Sequence, residues 1–196
     1  VRTLLIATAS LATLIAAGAC TADQPAPGPQ PASTSAAAVD VDDFLAQHDL
    51  AGRSVTEIVE ALDGTNEDRE NGPYGSVLPG ELILADEKQQ VSLPIEDAFY
   101  LSVAPYVTGT HECYNHNLAS CQGELAQQEF DVTIVGEDGQ EIFDGQVTTA
   151  PNGFAGFWLP KEITATVTVE HDGRTATTEV STGAEDPTCI TTMQLA

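Results

Sequence analysis

Basic residues are what this chain most lacks: six Lys plus Arg stand against 30 Asp plus Glu, for a formal net charge of −24 over 196 residues. A surface that acidic repels nucleic acid phosphate and anionic lipid headgroups. Nucleic acid is therefore excluded as a partner, and a membrane is reachable only through a covalent anchor. Solubility alone accounts for the imbalance, so acidity does not by itself identify a metal-binding protein. Closely spaced cysteine pairs are also missing. No two of the four cysteines form a C-x-x-C motif, which removes the thioredoxin-like redox signature and weakens a zinc-ribbon reading. The chain is long enough for one ordinary domain, or a small domain beside a larger one.

A charge-free apolar run occupies residues 3 to 19, behind Arg2. As a spanning helix it is near the short limit and lacks a charged stop flank; as a secretory signal peptide (residues 1–19) it has the expected small residues at its end. Ala17-Gly18-Ala19-Cys20 satisfies an ordinary signal peptidase and also resembles a bacterial lipobox, although Ala17 stands where lipoboxes usually carry Leu. Residues 21 to 38 hold four prolines and almost nothing that could form a core. Such a spacer makes physical sense as a tether (residues 20–38) behind a lipidated Cys20. The expected location is outside the cytoplasm, in the periplasm or on the outer face of the membrane.

From Val39 to Asp63 the pattern turns helical. Val41, Phe44 and Leu45, then Val55, Ile58, Val59 and Leu62, recur at three- and four-residue spacing, and Ser54-x-x-Glu57 reads as a capping box. Residues 64 to 80 read as a loop, and 81–85 and 90–93 as a hairpin. Two short helices cannot bury both their faces against each other, so this part needs another surface, either the following domain or a second copy of the chain. A boundary is placed near Pro94. Beyond it, alternating segments at 99–107, 129–135, 141–149, 154–159, 163–170, 175–181 and 188–195 suggest an antiparallel β-sandwich. The expectation is an α+β protein, with a small N-terminal α+β domain (39–94) of helices and a short hairpin and a β-sandwich-like C-terminal domain (95–196).

Chemistry concentrates between strands, in Thr110 to Leu125, which contains His111, Cys113, His116 and Cys121. With Cys20 set aside, Cys113, Cys121 and Cys189 remain, an odd number for an exported protein, where thiols are normally paired. One disulfide and a spare thiol would explain them; so would a single site using all three. Cu(I), a soft ion, suits a trithiol with His111 and His116 beside it, and two thiols closing into a disulfide release two electrons that could reduce Cu(II). Zinc is not forbidden by the spacing. His48 and His171 are assigned no role, and Met193 is read as core rather than as a thioether ligand.

Phe99 to Leu125, together with Pro187-Thr-Cys-Ile-Thr-Thr-Met-Gln-Leu195, resembles the CueP family of periplasmic copper-binding proteins, and the likeness extends over about residues 42 to 196. The resemblance implies an envelope protein of copper homeostasis and resistance, with a helical N-terminal domain that forms a homodimer and a C-terminal β domain. It implies that Cys113, Cys121 and Cys189 bind copper and support reduction of Cu(II) to Cu(I), with a thiol-disulfide reductase or isomerase keeping them reduced. The alternative from another function class is a non-catalytic extracytoplasmic adhesion or interaction module with one structural disulfide.

Overall fold

The computed structural model describes residues 40–65 and 72–196. The expected signal peptide, the tether and Cys20 lie outside the described residues. Ala38–Ala196 forms one compact unit, built of two short helices and mainly antiparallel strands. Among the described residues no helix is long and apolar enough to cross a membrane.

Both helices begin where local chemistry starts them. Asp40 accepts hydrogen bonds from the N–H groups of Asp42 (2.9 Å) and Asp43 (3.3 Å) and opens α1 (Val41–Gln47). The Ser54–Glu57 capping box forms as the spacing predicts: Glu57 N–H donates to the Ser54 hydroxyl and Ser54 N–H to the Glu57 carboxylate, opening α2 (Val55–Asp63). Phe44, Leu45, Ile58, Val59 and Leu62 face inward and share a core with Val77, Leu82, Leu84 and Val91 of the first sheet. That sheet supplies the surface the helices need.

The first sheet has the order β3 (Gln90–Pro94), β2 (Glu81–Ala85), β1 (Tyr74–Val77), β5 (His116–Asn117), all antiparallel. Strand β1 corrects the loop expected over residues 64 to 80. Tyr-Gly-Ser-Val is too short and, with Gly75 in it, too interrupted to stand out as a strand, and it is held by pairing on both sides. Gly75 fits closely there: a Cβ would lie 2.8 Å from Leu118 Cδ1, so any larger residue would displace the Leu118 side chain.

The second sheet, β10 (Arg174–Ser181), β9 (Thr164–His171), β6 (Glu129–Gly136), β7 (Glu141–Thr148), follows the alternation of the sequence. Its β9–β10 turn is Asp172-Gly173 with both residues at positive φ (50° and 75°), the two-residue hairpin that this dipeptide favours.

The third sheet is β11 (Cys189–Ile190), β4 (Phe99–Val103), β8 (Ala155–Leu159). Here the structure corrects an all-antiparallel expectation. Strand β11 runs parallel to β4, with Cys189 opposite Ser102, and it is two residues long rather than 188–195. Strand β4 also stops earlier than expected, at Val103, two residues before Pro105, which has no N–H to continue a ladder.

Strand β4 positions the site. All five of its residues are buried. Phe99, Leu101 and Val103 enter the core shared with the second sheet, Tyr100 enters the helix-side core, and Ala104, just beyond the strand, joins Cys121, Phe154 and Cys189 in a third small cluster. Leu118 and Trp158, like Tyr100, come from beyond Pro94 and pack into the helix-side core.

Candidate metal centre

The segment from Pro105 to Gln128 is long and mostly irregular, so its shape depends on specific hydrogen bonds. Glu124 is one anchor: its carboxylate accepts from the N–H groups of Val107 (2.7 Å), Thr108 (2.9 Å) and Gly109 (3.2 Å) and from the Thr108 hydroxyl. The Thr108 hydroxyl and these amides hold its pKa down at about 2. Asn117 makes the second bend. Its side-chain oxygen accepts from Ala119 N–H (3.0 Å) and Ser120 N–H (2.9 Å), a turn that returns the chain so that Cys121 Sγ lies 3.4 Å from Asn117 N.

The third anchor is Thr188, the neighbour of Cys189. Its buried hydroxyl donates to Val77 O (2.6 Å) and accepts from His116 N–H (2.9 Å), joining β1, β5 and the start of β11 at one atom. Cys189 N–H in turn donates to Tyr114 O (3.1 Å). Behind the site, Gly123 and Gly153 touch backbone to backbone, and a Cβ on Gly123 would sit 2.5 Å from Gly153 O.

These anchors gather Cys113, His116, Cys121 and Cys189. One donor atom from each lies within 4.8 Å of all the others. Cys113 Sγ and Cys121 Sγ are 3.5 Å apart, and Cys189 Sγ is 3.6 Å from His116 Nδ1. A tetrahedral ion with bonds of about 2.3 Å needs donors about 3.8 Å apart, so these separations suit a metal with little rearrangement. None of the three cysteines is in a disulfide; Cys113 is half-buried and the other two are buried. His111 lies outside this group, exposed, with its ring edge-on to Phe154 at 6.2 Å between centroids. His48 contacts Asp86 (3.2 Å), His171 Nδ1 contacts Glu129 O (2.8 Å), and Met193 is buried in the main core.

Electrostatically the cluster is a charge pair inside the protein. Burial opposes a charge on His116, but Asp63, Cys113 and Cys121 favour it and raise its pKa to about 11. Cys121 is held well below the ordinary thiol value, first by the hydrogen bond from Cys189 and then, against burial, by His116 and the Asn117 N–H. Cys189, which donates to Cys121 and is itself buried, is pushed up. These directions favour positive charge on His116 and negative charge on Cys121, with the proton kept on Cys189.

Asp63 is the residue beside this cluster that sequence reasoning missed. Its carboxylate lies 2.7 Å from His116 Nε2, and Tyr100 Oη (2.5 Å) and Asn152 Nδ2 (2.8 Å) also donate to it. Burial pushes the Asp63 carboxyl up, and the His116, Tyr100 and Asn152 contacts outweigh it and bring the pKa below the ordinary value. A signal existed: Asp63 follows Val59 by one helical turn, placing a charge on the apolar stripe of α2.

Residues 57–194 match the family described as periplasmic copper-binding protein CueP. The chain belongs to the CueP family. The matched region contains Cys113, His116, Cys121, Cys189 and Asp63. The solved structure described as "Crystal Structure of S.CueP" is similar to this chain at 39% sequence identity, with a TM-score of 0.77, and the match covers 81% of this chain and 99% of that one. No curated protein matches the chain. As a CueP-family member the chain is a copper-binding protein of a periplasmic family, and the Cys113–His116–Cys121–Cys189 cluster is where it has the donors to hold a metal.

Proposed function

We propose that this protein sequesters copper as Cu(I) in the cell envelope, in copper homeostasis and resistance, with Cys113, Cys121 and Cys189 as thiolate ligands and His116 Nδ1 as the fourth donor. The observation that carries the reading is the gathering of three sulfurs and one imidazole nitrogen within 4.8 Å of one another. Soft thiolates favour Cu(I), and imidazole is compatible with it. His111, exposed beside the loop, offers an imidazole to copper arriving as the harder Cu(II) ion.

The same thiols supply electrons. Two thiolates give one electron each to two Cu(II) ions, two Cu(I) ions form, and one S–S bond closes. Cys113 and Cys121 sulfurs are 3.5 Å apart and need to approach by about 1.5 Å to reach a disulfide bond length. A partner dithiol of the reductase or isomerase class then restores the pair. Its thiolate attacks the half-buried Cys113, Cys121 departs as the thiolate that His116 stabilises, and the partner's second thiol resolves the mixed disulfide, leaving the partner oxidised.

Anaerobic addition of Cu(II) to the reduced protein tests this. Loss of two thiols for every two Cu(I) ions captured by a chromogenic chelator is the expected result. Thiols that survive Cu(II) unchanged would overturn the reductive reading, and failure to compete with the chelator for added Cu(I) would overturn the copper site. The Cys3His donor set also fits tetrahedral zinc, so a Zn(II) ion that Cu(I) cannot displace would mark a structural zinc site instead.

Three finer expectations accompany this reading. Ala17-Gly18-Ala19-Cys20 and the proline-rich tether support a lipid anchor at Cys20, which mass spectrometry of the mature N-terminus checks. The family resemblance supports a homodimer through residues 39–94. The shared core of the second and third sheets supports a sandwich-like β domain at 95–196.

A further inference from the structure

Asp63 occupies a position that local stability does not favour. It is the last residue of α2, where a carboxylate meets the negative end of the helix dipole, and it is buried. Each of these costs stability unless donors compensate. Three donors converge on it. His116 Nε2 (2.7 Å) and Asn152 Nδ2 (2.8 Å) reach Oδ1, and Tyr100 Oη (2.5 Å) reaches Oδ2. Asn152 also donates to the Asp63 carbonyl (2.9 Å), pinning the end of the helix against the loop before β8. Gly156 leaves room for the Tyr100 hydroxyl, since a Cβ there would lie 2.0 Å from it.

The carboxylate can only accept, so the His116 nitrogen facing it must carry the proton. With Nε2–H turned to Asp63, Nδ1 faces Cys189 Sγ at 3.6 Å. The His116 ring is fully buried and flanked by Phe154, 4.7 Å between centroids, which leaves no room for it to turn freely.

We propose that Asp63 is a positioning residue of the metal centre, locking His116 in the tautomer and ring orientation that present Nδ1 to a metal held by the three sulfurs. The proposal rests on the reading of His116 as the fourth donor. Through Asp63, the copper-binding loop is coupled to the end of α2, so the centre is complete only when the helical part is docked. A carboxylate behind a ligating imidazole fixes its tautomer and raises its basicity, and loss of such a partner typically weakens metal binding about 10- to 100-fold.

The test compares Cu(I) affinity, by chelator competition, in the wild type, Asp63→Asn, His116→Gln and the double variant. Asp63→Asn is expected to weaken binding about 10- to 100-fold, and the double variant to bind no more weakly than His116→Gln alone. Equal losses from Asp63→Asn with and without His116 would reduce Asp63 to a structural role and overturn the proposal, as would no loss at all. If His116→Gln leaves affinity unchanged, the four-donor reading falls and the proposal with it; that outcome is separate from the others. A measurement on the wild type stands even if Asp63→Asn fails to fold. In the Cu(I)-loaded protein, ¹⁵N NMR of His116 is expected to show Nε2 protonated and Nδ1 metal-bound; metal on Nε2, or an uncoordinated ring, would overturn it.

Discussion

Cys189 contributes a donor from the far end of the chain, and its environment differs from that of its two partners. It is buried, sits in a strand rather than a loop, and lies 3.6 Å from the imidazole nitrogen. Cys113 is half-buried at the open side of the cluster. If all three sulfurs bind one Cu(I), Cys189→Ser should weaken affinity about as much as Cys113→Ser, because each exchanges a soft ligand for a hard one. Chelator competition on the two variants checks this. A Cys189→Ser protein with unchanged affinity would leave a local two-thiol site in the loop. At this scale the sequence made the donors legible and left Asp63 hidden. Three cysteines and two histidines are conspicuous in the sequence, whereas a single Asp at the end of a helix resembles any of the other acidic residues until its burial is known.

Elements without local signal do most of the assembly. The capping box, the apolar stripes of α1 and α2 and the alternation of β6, β9 and β10 could be read from short windows, because each satisfies its backbone within its own neighbourhood. Strands β1 and β5 could not, and β11 was legible only as a longer strand over 188–195, with no sign of its parallel pairing. Two of them are only two residues long, and all three exist because the Thr188 hydroxyl, the β4 backbone and strand β2 hold them in place. Replacing Thr188 with Val keeps the shape and removes the hydroxyl, leaving Val77 O and His116 N–H without that partner. Stability to urea should fall by about 1–3 kcal/mol, the range for a buried polar group left unsatisfied. A change within error would show that water or a backbone shift replaces the bond.

For the whole molecule, the buried charge pair makes folding depend on pH in a defined way. His116 has its pKa raised from 6.5 to about 11, so its contribution is complete below pH 6.5 and is lost as pH rises toward 11. Cys121 has its pKa depressed from 9.0, so its contribution is complete above pH 9 and shrinks as pH falls. Between about pH 6.5 and 9 the two nearly cancel, since folding moves a proton from thiol to imidazole without changing the number bound. The melting temperature of the metal-free protein should therefore be flat across that window and fall on both sides. His116→Gln should make the alkaline limb shallower without abolishing it, because the raised pKa of Cys189 also costs stability once the unfolded thiol ionises above about pH 9, and thermal melts across pH would show it. A wild-type profile that keeps rising above pH 9 would contradict the pairing.

The sequence alone determined what could be decided locally: helix starts, hairpin turns, alternating strands and the supply of soft ligands. These follow from the order of side chains along a few residues. Only the tertiary structure decided that β11 runs parallel to β4, that His116 rather than His111 joins the three sulfurs, and that Asp63 stands behind it. The physical reason is the same in each case. Parallel pairing and a site drawn from residues 63, 113 to 121, 152 and 189 are long-range contacts, and their geometry is set by how a strand buried on both faces packs between two cores, not by the spacing of residues along the chain.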